Sequence, residues 1–484
     1  MPANSQPASN KISLALWVLL AVLLARLWLI PMSSSFWVDE MVTAFVVNHP
    51  GHPSFAIAPQ VPESIYYWLP RISQSLFGGS EIAYRVPSFL AMALALFLIG
   101  RLASRLIHPD AAWLAIFACL ALRWFNYLAI DARPYAVGIC VATASLLFLI
   151  RWLDHARWPD AALFITFAAL LWRVHLIYWP FYLILALYPG IRFWSRDTPV
   201  TWLRAATVFA LLGLTLLPVA LRALSILHGA GAHVIIALPD FRTFQHEIRW
   251  SLVASLGGGA WLLSRIFRWP RPTPPQSISF IAALWLMQPV CLYTFSHLTG
   301  NSVFIDRYLS LGLPGTALAA TAAAAFFMPA TVWKPAAITT ACMALLLSIN
   351  TPTRHDHSDW RAAAQAESRL ALDPDTPVIC PSPFIEARTP VWHPDYPLPG
   401  FLYAHLPFYR VQGKLYLFPF ESADGEGYAA QITATLAHSR RFMIYGSDTR
   451  VSYWRKWFAA RPELSAWKNK TLKFGDVWLA VFDP

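Results

Sequence analysis

Long apolar runs separated by short polar loops dominate the first 350 residues of the chain. A helix that crosses a membrane needs about 20 mostly apolar residues, and eleven segments approach that length. The predicted spans are residues 12–31, 86–107, 111–128, 134–152, 159–173, 176–192, 201–221, 249–266, 277–297, 309–328 and 335–350. Segment 159–173 is short and is predicted to be tilted or only partly embedded. The pattern therefore predicts a polytopic α-helical membrane protein with about eleven transmembrane helices, give or take one or two.

The pattern changes after residue 350, where prolines, aromatic residues and charged residues become frequent. Short apolar runs with strand-like composition are found at residues 377–380, 441–445 and 477–482, and helical patterns at residues 359–371 and 451–460. These elements predict a small soluble α/β domain. The predicted organisation is a transmembrane domain over residues 1–350 and a soluble domain over residues 351–484. The first loop outside the membrane, residues 32–85, is long and contains an amphipathic interfacial helix near residues 63–77.

Composition strengthens the membrane assignment. Hydrophobic residues make up 57% of the chain and charged residues only 13%, whereas soluble globular proteins carry about 25% charged residues. The 23 Trp and 17 Tyr suit anchoring at the membrane surfaces. The net charge of +11 comes from basic residues scattered between apolar runs, which form no single patch. We therefore expect membrane lipids, and no nucleic acid, among the partners.

The distribution of basic residues predicts the orientation. With the N-terminus in the cytoplasm, the cytoplasmic loops have a modest excess of Lys and Arg, as the positive-inside rule requires. Several arginines on the opposite side lie beside acidic or aromatic residues, as residues of a site would. An odd number of spans then places the C-terminal domain on the non-cytoplasmic side.

Two adjacent carboxylates, Asp39 and Glu40, directly follow the first span in the sequence Phe-Trp-Val-Asp-Glu. A carboxylate among aromatic residues at a membrane surface is partly desolvated, which raises its proton affinity and suits it to general-base catalysis. The alternative is a solvated pair of interfacial acids without a catalytic role.

A second cluster, Asp131-Ala132-Arg133-Pro134-Tyr135, leads into the fourth predicted span. Ionisable residues at a membrane boundary often line a cavity, and the planar guanidinium group of Arg133 matches the geometry of a phosphate. The alternative is a local ion pair between Asp131 and Arg133.

Metal ligands are weakly indicated. None of the five cysteines forms a pair with metal-ligand spacing. His49 and His52 lie in a proline-rich loop near Asp39 and Glu40, and His355-Asp356-His357 begins the C-terminal region, but neither set has the pattern of four ligands. We expect no required cofactor, with a divalent metal as the less favoured alternative.

These segments together resemble bacterial glycosyltransferases of family 39 type, which are similar to protein O-mannosyltransferases and to the lipid A aminoarabinose transferase of the GT-C superfamily. The resemblance covers about the first 310 residues well and the remainder loosely. The motifs that carry it are Asp39-Glu40, Tyr66-Tyr67, residues 80–88 (SEIAYRVPS), residues 131–135 and, more weakly, His175, Arg307-Tyr308 and Asp359-Trp360-Arg361. The chain departs from the family at residues 60–64 (QVPES), where the family often has His-Pro-Pro. A role for that histidine is therefore not carried over.

The resemblance implies a GT-C fold in a bacterial inner membrane, with the C-terminal domain in the periplasm. It implies an inverting transfer of a sugar from a polyprenyl-phosphate carrier to a hydroxyl of a lipid, glycan or protein acceptor. Asp39 is then the expected base, Glu40 a second catalytic carboxylate, and Arg133, Arg85 and Arg307 the residues that bind the donor phosphate. The expected supporting residues are Asp131, Tyr135, Tyr66, Tyr67, His175 and Tyr308. For His175 the alternative is an ordinary interfacial histidine.

Two other classes of function share some of these features. A transporter or flippase of a lipid-linked sugar would also be polytopic with arginines at the membrane boundary, but such proteins usually contain paired halves, and the sequence has no such repeat. A non-catalytic scaffold gives no reason for the acidic pair and the Asp131–Arg133 cluster to face the same side.

Overall fold

The computed structural model describes residues 6–227, 237–270, 272, 277–349, 355 and 357–484. Its α-helices, in chain order from α1 to α19, are Gln6–Leu24, Val38–Asn48, Trp68–Phe77, Glu81–Leu106, Ala112–Leu120, Arg123–Ala129, Tyr135–His155, Trp158–Val174, Pro180–Trp194, Trp202–Leu227, Phe241–Glu247, Trp250–Ile266, Ile278–Thr299, Gly312–Ala325, Trp333–Leu347, Trp360–Leu370, His405–Phe408, Glu426–Ala437 and Asp448–Ala459. Its strands, from β1 to β5, are Pro377–Pro381, Lys414–Phe418, Phe442–Ser447, Lys468–Phe474 and Val477–Asp483.

Seven helices in the described part of the chain are long and apolar enough to cross a membrane. They are Ile12–Ser33, Glu81–Leu106, Tyr135–His155, Leu176–Trp194, Trp202–Ser225, Ile278–Thr299 and Ala330–Leu347. Pro109–Leu120 and Arg123–Ala129 become an eighth span if the pair, bent by 82°, is taken as one. The chain is therefore a multi-pass membrane protein.

The predicted count of eleven spans is not confirmed. The other three predicted segments are helical but short: α8 and α12 have 17 residues each and α14 has 14. At 1.5 Å per residue, α14 covers only about 21 Å of a hydrocarbon layer about 30 Å thick. Helices α8 and α12 lie at the short end of the range of about 17–25 residues that is usual for a span.

The chain divides into two compact units. The helical unit comprises Met1–Met32, Ser64–Leu69 and Arg85–Thr353, and the mixed unit comprises Ser33–Glu63, Pro70–Tyr84 and Arg354–Pro484. Much of the first outside loop therefore groups with the C-terminal residues, whereas the sequence assigned it to the transmembrane domain. The predicted boundary at residues 350 and 351 stays a prediction.

Small residues permit close helix packing inside the helical unit. Helix α14 is rich in Ala and Gly, and all of its residues except Ala323 are buried. Gly315 lies directly against the backbone of Leu284 in α13, where a Cβ atom would overlap the main chain. Gly257 of α12 faces Ala323, where a Cβ atom would lie 3.0 Å from the Ala323 Cβ atom. Close backbone approach at small residues is the usual basis of helix association in membranes.

The mixed unit contains a five-stranded sheet in the order β2-β1-β3-β5-β4. Strands β1, β2 and β3 run parallel, and β5 pairs antiparallel with β3 and β4. Alternate residues of β3 face opposite sides: Phe442 packs with Trp454 and Phe458 of α19 in one core, while the ring of Tyr445 contacts Trp360 of α16. Helices therefore cover both faces, which confirms the predicted small α/β domain.

Candidate active site

The loop between α6 and α7 places Asp131 and Arg133 at the start of a buried helix in the helical unit. The Arg133 amide donates to the Asp131 carbonyl oxygen at 2.7 Å, which gives the loop a tight turn. The Ser88 hydroxyl of α4 donates to the Arg133 carbonyl oxygen at 3.4 Å. Asp131 is buried, and Tyr135 begins α7 after Pro134, a position where proline is well tolerated.

Tyr66 joins this cluster from the short helical turn Ile65–Tyr67. Its ring is fully buried and packs edge-on against Tyr67 at 5.4 Å between ring centroids. Burial raises the pKa of Tyr66 well above its usual value, and the nearby Ser88 hydroxyl lowers it in part. The charges of Asp131 and Arg133 act on the same phenol in opposite directions. The predicted residues Tyr66, Asp131 and Arg133 are therefore neighbours.

His175 lies at the centre of an aromatic group. Its ring centroid is 5.7 Å from that of Tyr135, 5.4 Å from that of Tyr308 and 5.6 Å from that of Tyr178. Its Nδ1 atom accepts the Ile177 amide at 3.2 Å, so this nitrogen carries no proton.

The charges of two arginines act on His175. Burial, followed by the positive charges of Arg133 and Arg307, lowers the pKa of His175 to about 3. The imidazole is therefore neutral at physiological pH. The structure brings Arg133, Arg307 and His175 together, although the last two are far apart in the sequence; the role of His175 stays a prediction.

Buried polar residues position the Arg307 turn, Asp306–Leu309. Gln288 of α13 donates to the Tyr308 carbonyl oxygen at 2.7 Å and accepts the Gly312 amide at 2.9 Å. Arg249 forms ion pairs with Glu247 at 3.0 Å and with Asp306 at 3.1 Å. Gln288 and Arg249 were not predicted as site residues, because neither belongs to a motif.

Arg85 lies deeper than the other predicted arginines. Its side chain is fully buried in α4, and Nη1 donates to the Met32 carbonyl oxygen at 2.8 Å. This bond ties α4 to the end of the first span. A contact between Arg85 and a donor phosphate stays a prediction.

The predicted carboxylates lie in the first turn of α2, in the mixed unit. Glu40 is fully buried; its Oε2 atom accepts the Trp37 amide at 3.3 Å and lies 2.8 Å from Nδ1 of His355. Asp39 is half-buried. A carboxylate in the first turn of a helix interacts favourably with the helix dipole. The two acids therefore differ: Asp39 is accessible, whereas Glu40 is enclosed and bonded.

His355 was not predicted as a partner of Glu40. Both side chains have 0% exposure, and 315 positions separate them in the chain. The sequence offered a histidine near the start of the C-terminal region but no signal of what it contacts. Asp356, its neighbour in the weak metal motif, lies outside the described residues.

The residues that precede α2 are bonded to the C-terminal part of the mixed unit. The amide of His355 donates to the Ser34 hydroxyl at 3.4 Å, and the amide of Arg361 donates to the Ser35 hydroxyl at 3.2 Å. The hydroxyl of Tyr409 accepts the Phe36 amide at 2.9 Å. These bonds fix the segment that carries Asp39.

The carboxylate of Glu81 bonds two of the residues that hold this segment. Glu81 accepts the Tyr409 hydroxyl at 2.8 Å and forms an ion pair with Arg361 at 3.0 Å. Arg361 also donates to the Ser33 carbonyl oxygen at 2.7 Å. The motif Asp359-Trp360-Arg361, a weak part of the family resemblance, therefore includes a residue that contacts the segment before Asp39.

The other histidine pair has local partners. The His49 and His52 rings lie 6.0 Å apart between centroids. Nδ1 of His52 lies 2.8 Å from the Ser54 hydroxyl and accepts the Ser54 amide at 3.3 Å. Nδ1 of His52 is therefore used to cap the following turn, which is a structural role. That no metal is needed stays a prediction.

The chain is similar to a known protein family and to solved structures. Residues 62–227 match the family model described as dolichyl-phosphate-mannose-protein mannosyltransferase. A crystal structure of ArnT from Cupriavidus metallidurans in the apo state has a TM-score of 0.57 and 13% identity, with 98% of each chain covered. The structure of ArnT from the same organism bound to undecaprenyl phosphate has a TM-score of 0.54 and 13% identity, again with 98% of each chain covered. No curated protein matches the chain.

These findings confirm the predicted resemblance and the predicted fold class. At 13% identity, the structural match shows the fold alone. The segment matched by the family model contains Tyr66, Arg85, Arg133 and His175, and Arg307 lies beyond it.

Proposed function

We propose that this protein is a GT-C membrane glycosyltransferase that transfers a sugar from a polyprenyl-phosphate carrier to an acceptor hydroxyl outside the cytoplasm. The observation that carries the proposal is the pair of guanidinium groups, Arg133 and Arg307, whose positive charges both act on His175 among buried tyrosines. A polyprenyl phosphate combines an anionic head group with an apolar tail, which suits two cations in aromatic surroundings. The family match and the fold shared with ArnT support a lipid-phosphate donor.

The arginines supply charge stabilisation in this proposal. When the bond between the anomeric carbon and the phosphate oxygen breaks, the negative charge on the polyprenyl phosphate increases. Fixed cations lower the barrier because they stabilise this developing charge without reorganising. The planar forks of Arg133 and Arg307 match a phosphate in shape as well as in charge. A neutral His175 adds no proton to the leaving group.

Asp39 is the proposed base. As the acceptor oxygen forms its bond to the anomeric carbon, its proton passes to the Asp39 carboxylate, and attack from the face opposite the phosphate inverts the anomeric configuration. Asp39 is half-buried and so accessible to an acceptor. Glu40, which is buried and bonded to His355, positions the first turn of α2 rather than accepting the proton itself.

The remaining assignments rest on the sequence. The bias of basic residues supports a cytoplasmic N-terminus and a periplasmic C-terminal domain in a bacterial inner membrane. A lipid, a glycan and a protein are all chemically suitable acceptors, because each offers hydroxyl groups. The proposed reaction needs no metal, because a phosphate monoester is a good leaving group once its charge is stabilised.

Purified protein in nanodiscs tests the proposal. We would supply a panel of radiolabelled polyprenyl-phosphate sugars with a crude envelope fraction as acceptor, and compare wild type with Asp39→Asn. Wild type should transfer one labelled sugar. Asp39→Asn should bind that donor normally but transfer it about 10²- to 10⁴-fold more slowly, because the base is removed. The matched control is Asp448→Asn, since Asp448 also lies in the first turn of a helix, α19, and this variant should behave as wild type.

Each result separates the alternatives. NMR of the product linkage should show inversion of the anomeric centre, and retention would reject the inverting mechanism. Wild-type transfer by Asp39→Asn would reject Asp39 as the base. If the protein binds donors but transfers none of the labelled sugars, the result would favour the transporter or the scaffold.

A further inference from the structure

A polar groove opens at the junction between residues 33–35 and the N-terminal turns of α16, within the mixed unit. Its volume is about 400 Å³, within the range of about 300–1,000 Å³ that is usual for small-ligand sites. We call it the serine groove; the residues that carry its chemistry are Ser33, Ser34, Ser35, Asp359, Arg361 and Gln365. All six of these side chains can form hydrogen bonds.

The walls of the serine groove are fixed in place. The Ser35 hydroxyl accepts the Arg361 amide at 3.2 Å. Asp359 caps α16 by accepting the Ala362 amide at 3.0 Å. A hydrogen bond therefore joins the residue 33–35 wall to the α16 wall. Little ordering of these residues is needed when a ligand binds, which favours affinity.

The charge balance disfavours an anionic ligand. The guanidinium group of Arg361 is already paired with Glu81 at 3.0 Å. Asp359 adds a further carboxylate to the wall. Because the one cation among the described residues that line the groove is paired and an acid remains, a phosphate would gain little from these residues. A neutral ligand with many hydroxyl groups suits the groove better.

The exposed groups offer both donors and acceptors. Ser33 and Gln365 are exposed, and a glutamine amide provides two donors and an acceptor in one plane. Carboxylate, amide and hydroxyl groups at fixed positions can bond adjacent hydroxyls of a sugar ring. An alkyl chain would leave most of these groups without partners, which costs binding energy.

We propose that the serine groove binds a sugar ring of the acceptor, so that the acceptor is a glycan or a glycoconjugate. This inference rests on the proposed function, which requires an acceptor hydroxyl. Ser35 precedes Asp39 by four positions in one segment. The groove and the proposed base therefore belong to the same fixed part of the chain.

Binding of soluble trisaccharides tests this inference without any donor. Saturation-transfer NMR would be recorded with the full chain in nanodiscs and mannotriose, chitotriose or cellotriose. A Ser/Thr-rich peptide and inorganic phosphate serve as competing chemistries. At least one trisaccharide should bind wild type. Gln365→Ala and Ser33→Ala should each weaken that binding about 3- to 10-fold, as expected for one lost hydrogen bond, and the double variant about 10- to 100-fold.

The matched control is Gln431→Ala, the same substitution at an exposed position of α18 in the same unit. It should bind the trisaccharide as wild type does. Absence of trisaccharide binding to wild type, or equal binding by all variants, overturns the inference. Binding of the peptide or of phosphate that depends on Gln365 also overturns it, in favour of a protein or anionic acceptor.

The two proposals fail in different ways. If trisaccharide binding depends on the groove but no donor sugar is ever transferred, the serine groove stands and the glycosyltransferase fails. If transfer to the envelope fraction is equal in wild type and the double variant, the glycosyltransferase stands and the groove has no part in acceptor binding.

Discussion

Replacing His355 tests how the buried pair with Glu40 contributes to the structure around Asp39. Both side chains have 0% exposure, with 2.8 Å between Nδ1 and Oε2. His355→Phe fills the space but removes the hydrogen bond, so a buried carboxylate loses this partner. Leaving a buried hydrogen-bonding group without its partner costs about 1–3 kcal/mol, and more if the group is charged. We expect a loss of this size in the free energy of unfolding.

The chain provides a matched substitution. His405 also has 0% exposure and lies in the mixed unit, but neither of its ring nitrogens has a hydrogen-bond partner among the described residues. His405→Phe removes a polar group that is already unsatisfied. It should therefore change stability by less than about 1 kcal/mol, or increase it. Reversible SDS titration in mixed micelles measures both variants.

A double-mutant cycle isolates the pair. Glu40→Gln, His355→Phe and the combined variant should give a coupling energy of at least about 1 kcal/mol, as residues in direct contact do. Equal losses for His355→Phe and His405→Phe, or a coupling energy below about 0.5 kcal/mol, would refute the reasoning. His355→Phe should also slow sugar transfer more than it weakens donor binding, because it affects the segment that carries Asp39.

Three further variants have defined outcomes. Burial raises the pKa of Glu367 to about 7 from 4.5, so its stabilising contribution is complete below pH 4.5 and is lost as pH rises through 7. SDS titrations at several pH values should therefore show a fall in the free energy of unfolding that is about 3 kcal/mol larger in wild type than in Glu367→Gln. Gly138→Ala places a methyl group where it would overlap the Tyr178 ring and should destabilise by about 1–3 kcal/mol in the same titration, whereas Gly213→Ala, which meets no neighbour within 4 Å, should not. Arg133→Lys keeps the charge but loses the planar fork, and equilibrium binding of the donor should weaken about 10- to 100-fold; unchanged binding would show that the guanidinium geometry is not used.

Local patterns predicted most of the helices, but the predicted number of spans is not confirmed. All eleven apolar segments contain helix, since apolar composition and length are properties of the sequence. The short length of α14 and the 82° bend between α5 and α6 depend on packing and on where each helix ends, which composition does not encode.

Local patterns also predicted only some of the strands. Strands β1, β3 and β5 were predicted from buried apolar runs. Strand β4, Lys468–Phe474, was missed because it is at the edge of the sheet and its sequence, KNKTLKF, is largely polar. Strand β2 is at the other edge, and it too was missed. No residue of β4 is fully buried, so its apolar pattern is weak, whereas β2 is only five residues long although its last three residues are buried.

Some residues of the candidate site could be predicted from short motifs, whereas contacts between distant residues could not. Arg133, Tyr66 and Asp131 were predicted because each belongs to a short motif. The contact of His355 with Glu40 joins residues 315 positions apart, and no single sequence records such a pairing. Gln288 was missed for a similar reason: its role comes from the backbone groups of the Arg307 turn rather than from neighbours in the sequence.

The bonds between residues 33–36 and the C-terminal residues have a consequence for biosynthesis. Residues 33–36 leave the ribosome early, yet their partners His355, Arg361 and Tyr409 are made only after nearly all the membrane helices. The segment that carries Asp39 therefore reaches its final conformation only when the chain is almost complete. A truncated product that lacks these residues could insert its helices but could not form these bonds, so the segment before α2 would stay without its C-terminal partners.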